Sequence, residues 1–264
     1  MGKRLIYEKI LKKRLEEHNL EFKDIISKIE IPLDDETAIF FYTSHFEGLG
    51  TKKSDIDIYI ISNHKLNRKL PGKYLNCEGV ITYQINNLEF DLEYWDIKEI
   101  NSIITECQEN AFIENDLLKI LVRLNYGYSY TDNSATQSML EKIQKLQIEK
   151  IVTGKYALLA RSNYDDALKM FYAGEYVAAL DCCRRALWDS VSALNSANGH
   201  SNLKEKWISK IFLDNNAYGN KELLDEYYKY QVYSSVPSEH IENYVEDFLE
   251  SIQGFITEIS FSNK

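Results

Sequence analysis

The chain has 264 residues, 44% hydrophobic and 27% charged, with a formal net charge of −10. That length suits one large domain or two modest ones, and three prolines and eleven glycines exclude collagen-like and low-complexity classes. The acidic balance argues against a long nucleic-acid substrate, which asks for a basic surface, and no window approaches the ~20 apolar residues of a membrane span.

Residues 1–9 hold no apolar run of the kind a signal peptide needs, so the expected compartment is the cytoplasm. Leu5, Ile6, Ile10, Leu11 and Leu15 recur at helical spacing and predict a helix over 3–18. Phe22, Ile25, Ile26 and Ile29 predict a second over 22–29, closed by Pro32. The period then changes. Residues 38–42 form an apolar run of buried-strand type, residues 43–54 a loop with glycines at 48 and 50, and residues 55–61 a strand. Residues 80–85 and 88–95 flank Asn86-Asn87 and predict a hairpin.

Two helices are expected at 97–109 and 113–125, a linker over 126–133, and helices from about 135 onward, interrupted near Gly174, Asn198–Asn202, Asn215–Asn220 and Pro237. This order, mixed first and all-helical second, predicts an α+β fold: a mixed sheet with flanking helices over 1–130, then a helical bundle over 131–264. Cys77, Cys107, Cys182 and Cys183 lack CxxC spacing and neighbouring histidines, which argues against zinc. Cys182 and Cys183 lie in a helical pattern and read as small packing residues.

The acidic residues carry the chemistry. Alternation puts Asp55 and Asp57 on one face of their strand, and Asp91 and Glu93 on one face of theirs. Ionised carboxylates gathered in a partly buried place repel each other unless protons, cationic side chains or metal ions compensate. No arginine or histidine alternates with them in either strand, and hard oxygen ligands suit Mg²⁺, with Mn²⁺ as an alternative. A single Asp-x-Asp is more often a solvated strand face. The preceding segment adds weight: Ser44 follows a buried strand, and backbone N–H groups of the ensuing turn can hold a triphosphate beside metals carried on the next strand.

Ser44 through Asp57, with its Gly-Leu-Gly-Thr-Lys-Lys-Ser-Asp-Ile-Asp core and the later Phe90-Asp91-Leu92-Glu93, resembles the signature of the polymerase-β-like nucleotidyltransferase superfamily. The resemblance covers about residues 36–95. With the helical second half, it extends to bacterial antibiotic and small-molecule nucleotidyltransferases. It implies that Asp55, Asp57 and Asp91 bind two divalent ions, that Asp91 also helps deprotonate the acceptor, and that Thr43, Ser44, Lys53 and Ser54 surround the triphosphate of an NTP, with ATP as the usual donor. Glu93 is then either a general base or a salt-bridged structural residue. Thr43 stands where the family has glycine, and a β-branched residue there is expected to narrow or reshape the phosphate pocket. His45, Lys52 and Lys53 lie beside the loop, as a phosphate contact or as solvated surface.

In the second half, Ala178, Ala179 and Ala186 permit close helix packing, as in HEPN-related modules. Arg184 and Arg185 lack the histidine that HEPN ribonucleases carry four to six residues on. The expectation is NMP transfer from an NTP to the hydroxyl of a small molecule held between the two halves, with a homodimer compatible with the sequence. The alternatives are a degenerate transferase acting as a binding or regulatory partner, of toxin–antitoxin or defence type, or a transferase that modifies protein or tRNA. Lys52, Lys53, Lys65, Arg68, Lys69 and Lys73 are basic residues expected to serve the nucleotide. Asp165, Asp166, Glu175 and Asp181 would suit a polar or cationic acceptor, although each alone reads as a solvated helix face.

Overall fold

A computed structural model describes residues 2–67, 77–110, 113–233, 235–236 and 239–262. Arg68, Lys69 and Lys73 lie outside the described residues. The chain divides into two compact units, Met1–Gln147 and Ile148–Lys264.

The first unit is built on a five-stranded mixed sheet of order β3-β4-β2-β1-β5. β1 is Ala38–Tyr42, β2 Ile56–Ser62, β3 Gly79–Ile85, β4 Leu88–Asp96 and β5 Tyr128–Ser129. β2 and β4 run parallel, and the other pairs are antiparallel. Every residue of β1 and β2 is buried, as befits strands covered on both faces. β3, at the edge, alternates between half-buried and exposed positions from Ile81 on. The hairpin turn has Asn86 at φ 49° and Asn87 at φ 62°, the left-handed pair that a two-residue turn requires and that asparagine tolerates.

Helices flank the sheet: α1 (Gly2–Glu16), α2 (Phe22–Ile26), α3 (Ile97–Glu109), α4 (Asn115–Asn125) and α5 (Ser134–Lys145). On α1, Leu11 and Leu15 are buried, while Leu5 and Ile6 are exposed. α2 is shorter than its apolar pattern, stopping at a Ser27 cap. β5 falls within the stretch expected to be a linker; its two residues pair with Phe40 and Phe41, too short a run to show a period.

The expected division at 130/131 precedes the observed one because α5 packs with the sheet unit. Asn133, its N-cap, accepts from the Thr136 N–H at 3.0 Å and donates to the carbonyls of Thr37 at 2.9 Å and Asp34 at 3.2 Å. Thus one side chain starts the helix and ties it to the entry of β1.

The second unit is all helical: α6 (Ile148–Tyr172), α7 (Tyr176–Ala197), α8 (Glu205–Asp214), α9 (Lys221–Tyr227), a π-turn at Tyr228–Val232, and α10 (Ile241–Ser262). Gly174, at φ 77°, reverses the chain between α6 and α7. Ala160, Ala167, Ala179 and Ala186 are fully buried; Ala178, expected with them, is exposed. α10 packs on α6 and α7. Tyr227, Tyr230 and Phe248 belong to the core, and Asp165, Asp166, Glu175 and Asp181 are all exposed. The four cysteines are free thiols. Among the described residues, no helix is long and apolar enough to cross a membrane.

Asn133→Ala should lower stability by about 1–2 kcal/mol, the usual cost of losing a cap, and loosen α5 first. Urea denaturation with amide exchange over residues 134–145 would measure both; unchanged protection there would contradict the role given to Asn133.

Candidate active site

The parallel pairing of β2 with β4 sets the site. Its register puts Asp57 beside Asp91 and Tyr59 beside Glu93, so three carboxylates and the Tyr59 hydroxyl lie on one sheet face. Asp55 stands at the entry of β2 on the same alternation. One carboxylate oxygen each of Asp55, Asp57 and Asp91 lies within 4.8 Å of the others. Asp57 is buried, while Asp55 and Asp91 are half-buried. Thr82, opposite Asp91 on β3, donates its hydroxyl to Asp91 Oδ1 at 2.6 Å and fixes that carboxylate.

Glu93 lies two positions further along β4, outside this trio. It is held by the Trp95 indole N–H at 3.3 Å and by Arg123 Nη1 at 3.7 Å. Burial pushes its carboxyl up to about 7, the Asp57 charge adds to the rise, and Arg123 opposes it. The salt bridge anticipated as one reading of Glu93 is present, to Arg123.

Arg123 is the residue that strand patterns alone cannot reveal. It projects from α4 and is 5% exposed. Its Nη1 donates to Asp57 Oδ1 at 3.1 Å and to the Tyr59 hydroxyl. Its guanidinium carbon lies 5.3 Å from the centre of the Tyr42 ring, and Tyr42 is the β1 neighbour of Asp57. The carboxylates therefore have a cationic partner that reading β2 and β4 alone omits. The available signal was an arginine inside the apolar stripe of Leu118, Leu121, Val122 and Leu124.

The loop before β2 is held from within. Ser44–Glu47 forms a single 3₁₀ turn closed by Gly48 at φ 73°. Ser44, 7% exposed, donates to the Ser54 hydroxyl at 3.0 Å, and that hydroxyl also accepts from the Thr51 N–H at 2.8 Å. Thr43 is extended, at φ −151°, a conformation open to any residue. It is fully buried, and its hydroxyl donates to the Asp55 carbonyl at 3.0 Å. Alternation after Tyr42 turns it to the face opposite Asp57. The β-branched side chain thus binds the end of β1 to the start of β2 and does not narrow the acidic face.

His45 is half-buried, with its ring nitrogen 3.1 Å from the Thr51 carbonyl. A Cβ on Gly50 would come within 2.2 Å of that ring, so only glycine admits it. A second inward arginine, Arg14 of α1, donates to the carbonyls of Lys52 at 2.7 Å and Ser54 at 3.3 Å. Lys52 and Lys53 are exposed. Lys65 is engaged elsewhere, with Glu78 and with Asp96 at 2.9 Å.

No protein-family model matches the chain, and no curated protein does. Among solved structures, a nucleotidyltransferase-like protein from Exiguobacterium sibiricum 255-15 aligns with a TM-score of 0.48 and 13% identity, over 92% of this chain and 74% of that one. A likeness that distant assigns no chemistry.

Arg123→Met keeps the length of the side chain but leaves Asp57 and Glu93 without their shared cation. It should cost about 3–5 kcal/mol, the usual loss when one partner of a buried ion pair is removed. Urea unfolding at pH 7 in chelator measures it. Arg123→Lys should recover only part, since an ammonium lacks the planar fork. A loss below about 1 kcal/mol for Arg123→Met would mean the carboxylates are compensated elsewhere.

Proposed function

We propose that the first unit transfers a nucleoside monophosphate from an NTP, with ATP as the donor the motif resemblance suggests, to an acceptor hydroxyl on a small molecule. The observation that carries this reading is the convergence of Asp55, Asp57 and Asp91 within 4.8 Å, next to a turn whose buried serine faces a second hydroxyl at 3.0 Å. Three carboxylates so close repel each other, and an all-oxygen donor set fits magnesium or manganese ions. Bound there, two such ions would supply Lewis acidity at the acceptor oxygen and neutralise charge on the departing pyrophosphate.

In this reading Asp57 is held by Arg123, Asp91 is held by Thr82, and Asp55 is the third metal ligand. Ser44 and Ser54, with the backbone N–H groups of the turn, hold the phosphates, and Lys53 supplies exposed positive charge beside them. The acceptor oxygen attacks the α-phosphorus and gives its proton up towards Asp91. The bond from that phosphorus to the bridging oxygen breaks, and pyrophosphate leaves. Glu93 keeps Arg123 aligned and does not touch the reacting atoms.

The direct test is incubation with each labelled NTP and Mg²⁺, offering a low-molecular-weight extract, bulk tRNA and total protein as separate acceptors. Label should enter the low-molecular-weight fraction. Chelator should abolish transfer, and Asp57→Asn should lower it more than about 100-fold, beyond the cost of losing a residue that only supports a ligand. Label mainly in tRNA or protein would overturn the acceptor class, and full activity of Asp57→Asn would overturn the site.

Ser44→Ala should weaken NTP binding by roughly tenfold or more, as expected for a hydrogen bond to a charged group. Calorimetry with a non-hydrolysable NTP reads this; an unchanged affinity would make the turn a connector only.

A further inference from the structure

The helical unit contains its own pocket, of about 530 Å³, well inside the roughly 300–1,000 Å³ of small-ligand sites. Four of its lining residues, Arg184, Arg185, Trp188 and Asp189, come from two turns of α7. Asn163 of α6 and Tyr230 join them. Tyr230 comes from the π-turn Tyr228–Val232, an irregularity that is frequent at functional sites. It is 1% exposed and stacks on Phe248 at 4.0 Å, which makes it a rigid wall.

The charges in this pocket are not matched to each other. The Asp189 carboxylate accepts one hydrogen bond, from the Asn163 amide at 2.8 Å, and no cationic side chain pairs with it among the described residues. Burial pushes it up to about 6, and the Asn163 hydrogen bond only partly offsets that, so near neutral pH it is mainly ionised and accepts only. Arg185 is exposed and makes no ion pair among the described residues. Arg184 reaches only the exposed Asp181, at 3.8 Å. Trp188 is half-buried and makes no ring contact among the described residues, leaving an indole available for stacking.

A fitting ligand must bring N–H donors to Asp189, a flat face to Trp188 and an anion to the arginines. Among common nucleobases, guanine presents two adjacent N–H donors on one edge, the complement of an acceptor-only carboxylate. Adenine offers a donor beside an acceptor. A phosphate meets the planar donor forks of arginine, and the exposed carboxylate of Glu205, also in the lining, suits ribose hydroxyls.

We propose that this pocket is a guanine nucleotide site, with the base edge on Asp189, the ring on Trp188 and the phosphate on Arg184 and Arg185. All of its lining residues belong to the second unit, and the assignment does not depend on the transferase reading.

The probe is guanosine 5′-monophosphate, titrated by calorimetry into the full chain in chelator. It lacks the triphosphate that a nucleotidyl donor needs. Saturable binding is expected, with adenosine 5′-monophosphate weaker by roughly tenfold or more. Asp189→Asn should weaken the guanine nucleotide by a similar factor and improve binding of xanthosine 5′-monophosphate, whose added carbonyl meets the new amide N–H. Arg185→Gln alters an exposed residue that can be lost without unfolding; it should weaken the nucleotide but leave guanosine unchanged. No saturable binding to the unaltered chain, equal binding of the two monophosphates, or unchanged affinity in a folded Asp189→Asn or Arg185→Gln variant would overturn the assignment.

Discussion

Carboxylates do not gather under an apolar sheet without something holding them there, and in the first unit that is the Arg123 guanidinium. It sits between Asp57, Glu93 and Tyr59, with the Tyr42 ring beside it. Removing charges from water costs several kcal/mol each, and their mutual attraction repays that only when geometry and hydrogen bonding are good. Arg123 gives Asp57 a partner on its inner side, and Trp95 gives Glu93 another. Asp57 also converges with Asp55 and Asp91 near the start of β2, a group of carboxylates that could hold a metal ion. The division is spatial: a protein cation serves Asp57 and Glu93, and the trio of aspartates lies beside it.

The loop before β2 depends on the same face being well placed. Thr43 fastens the end of β1 to the Asp55 carbonyl, and Arg14 reaches from α1 to hold the carbonyls of Lys52 and Ser54. Within the loop the N–H groups of Gly48, Leu49 and Ser54 donate to the carbonyls of His45, Ser44 and Thr51, so its shape is set from inside as well. Thr43 and Arg14 are both buried. Their contribution is shape, while Ser54, Asp55 and Asp91 present half-buried polar atoms.

The sequence made the strands visible where the period was clear. Alternation placed Asp55 with Asp57 and Asp91 with Glu93, and Asn86-Asn87 marked the hairpin. It could not give the register between β2 and β4, because parallel strands are paired by tertiary packing and not by a connecting turn. Arg123 and Arg14 escaped notice for a related reason. Arginine on an amphipathic helix normally marks the solvent side, and only the folded sheet shows that these two point inward. β5 is two residues long, below the length at which any period can be read. The domain boundary shifted because one cap, Asn133, binds α5 to β1 across the stretch expected to be a linker. In the helical unit, helix breaks at Gly174 and near Asn198 and Asn215 were legible; the unmatched charges around Asp189 were not, since each is an ordinary surface residue until α6, α7 and the π-turn meet.

The chain position of Arg123 has a consequence for synthesis. Arg123 follows Asp57 by 66 positions, and β2 and β4 pair in parallel, so both strands leave the ribosome before their cation does. The hairpin of β3 and β4 can close locally as soon as Asn87 and the following strand have emerged, since short loops cost little entropy to close. Bringing β2 alongside β4 before α4 is made would press Asp57 against Asp91 with no guanidinium to offset the repulsion. The nascent chain is therefore biased to keep its central strands apart, with apolar edges uncovered, until α4 docks. Slower translation between β4 and α4 would lengthen the exposure that such segments face during vectorial folding.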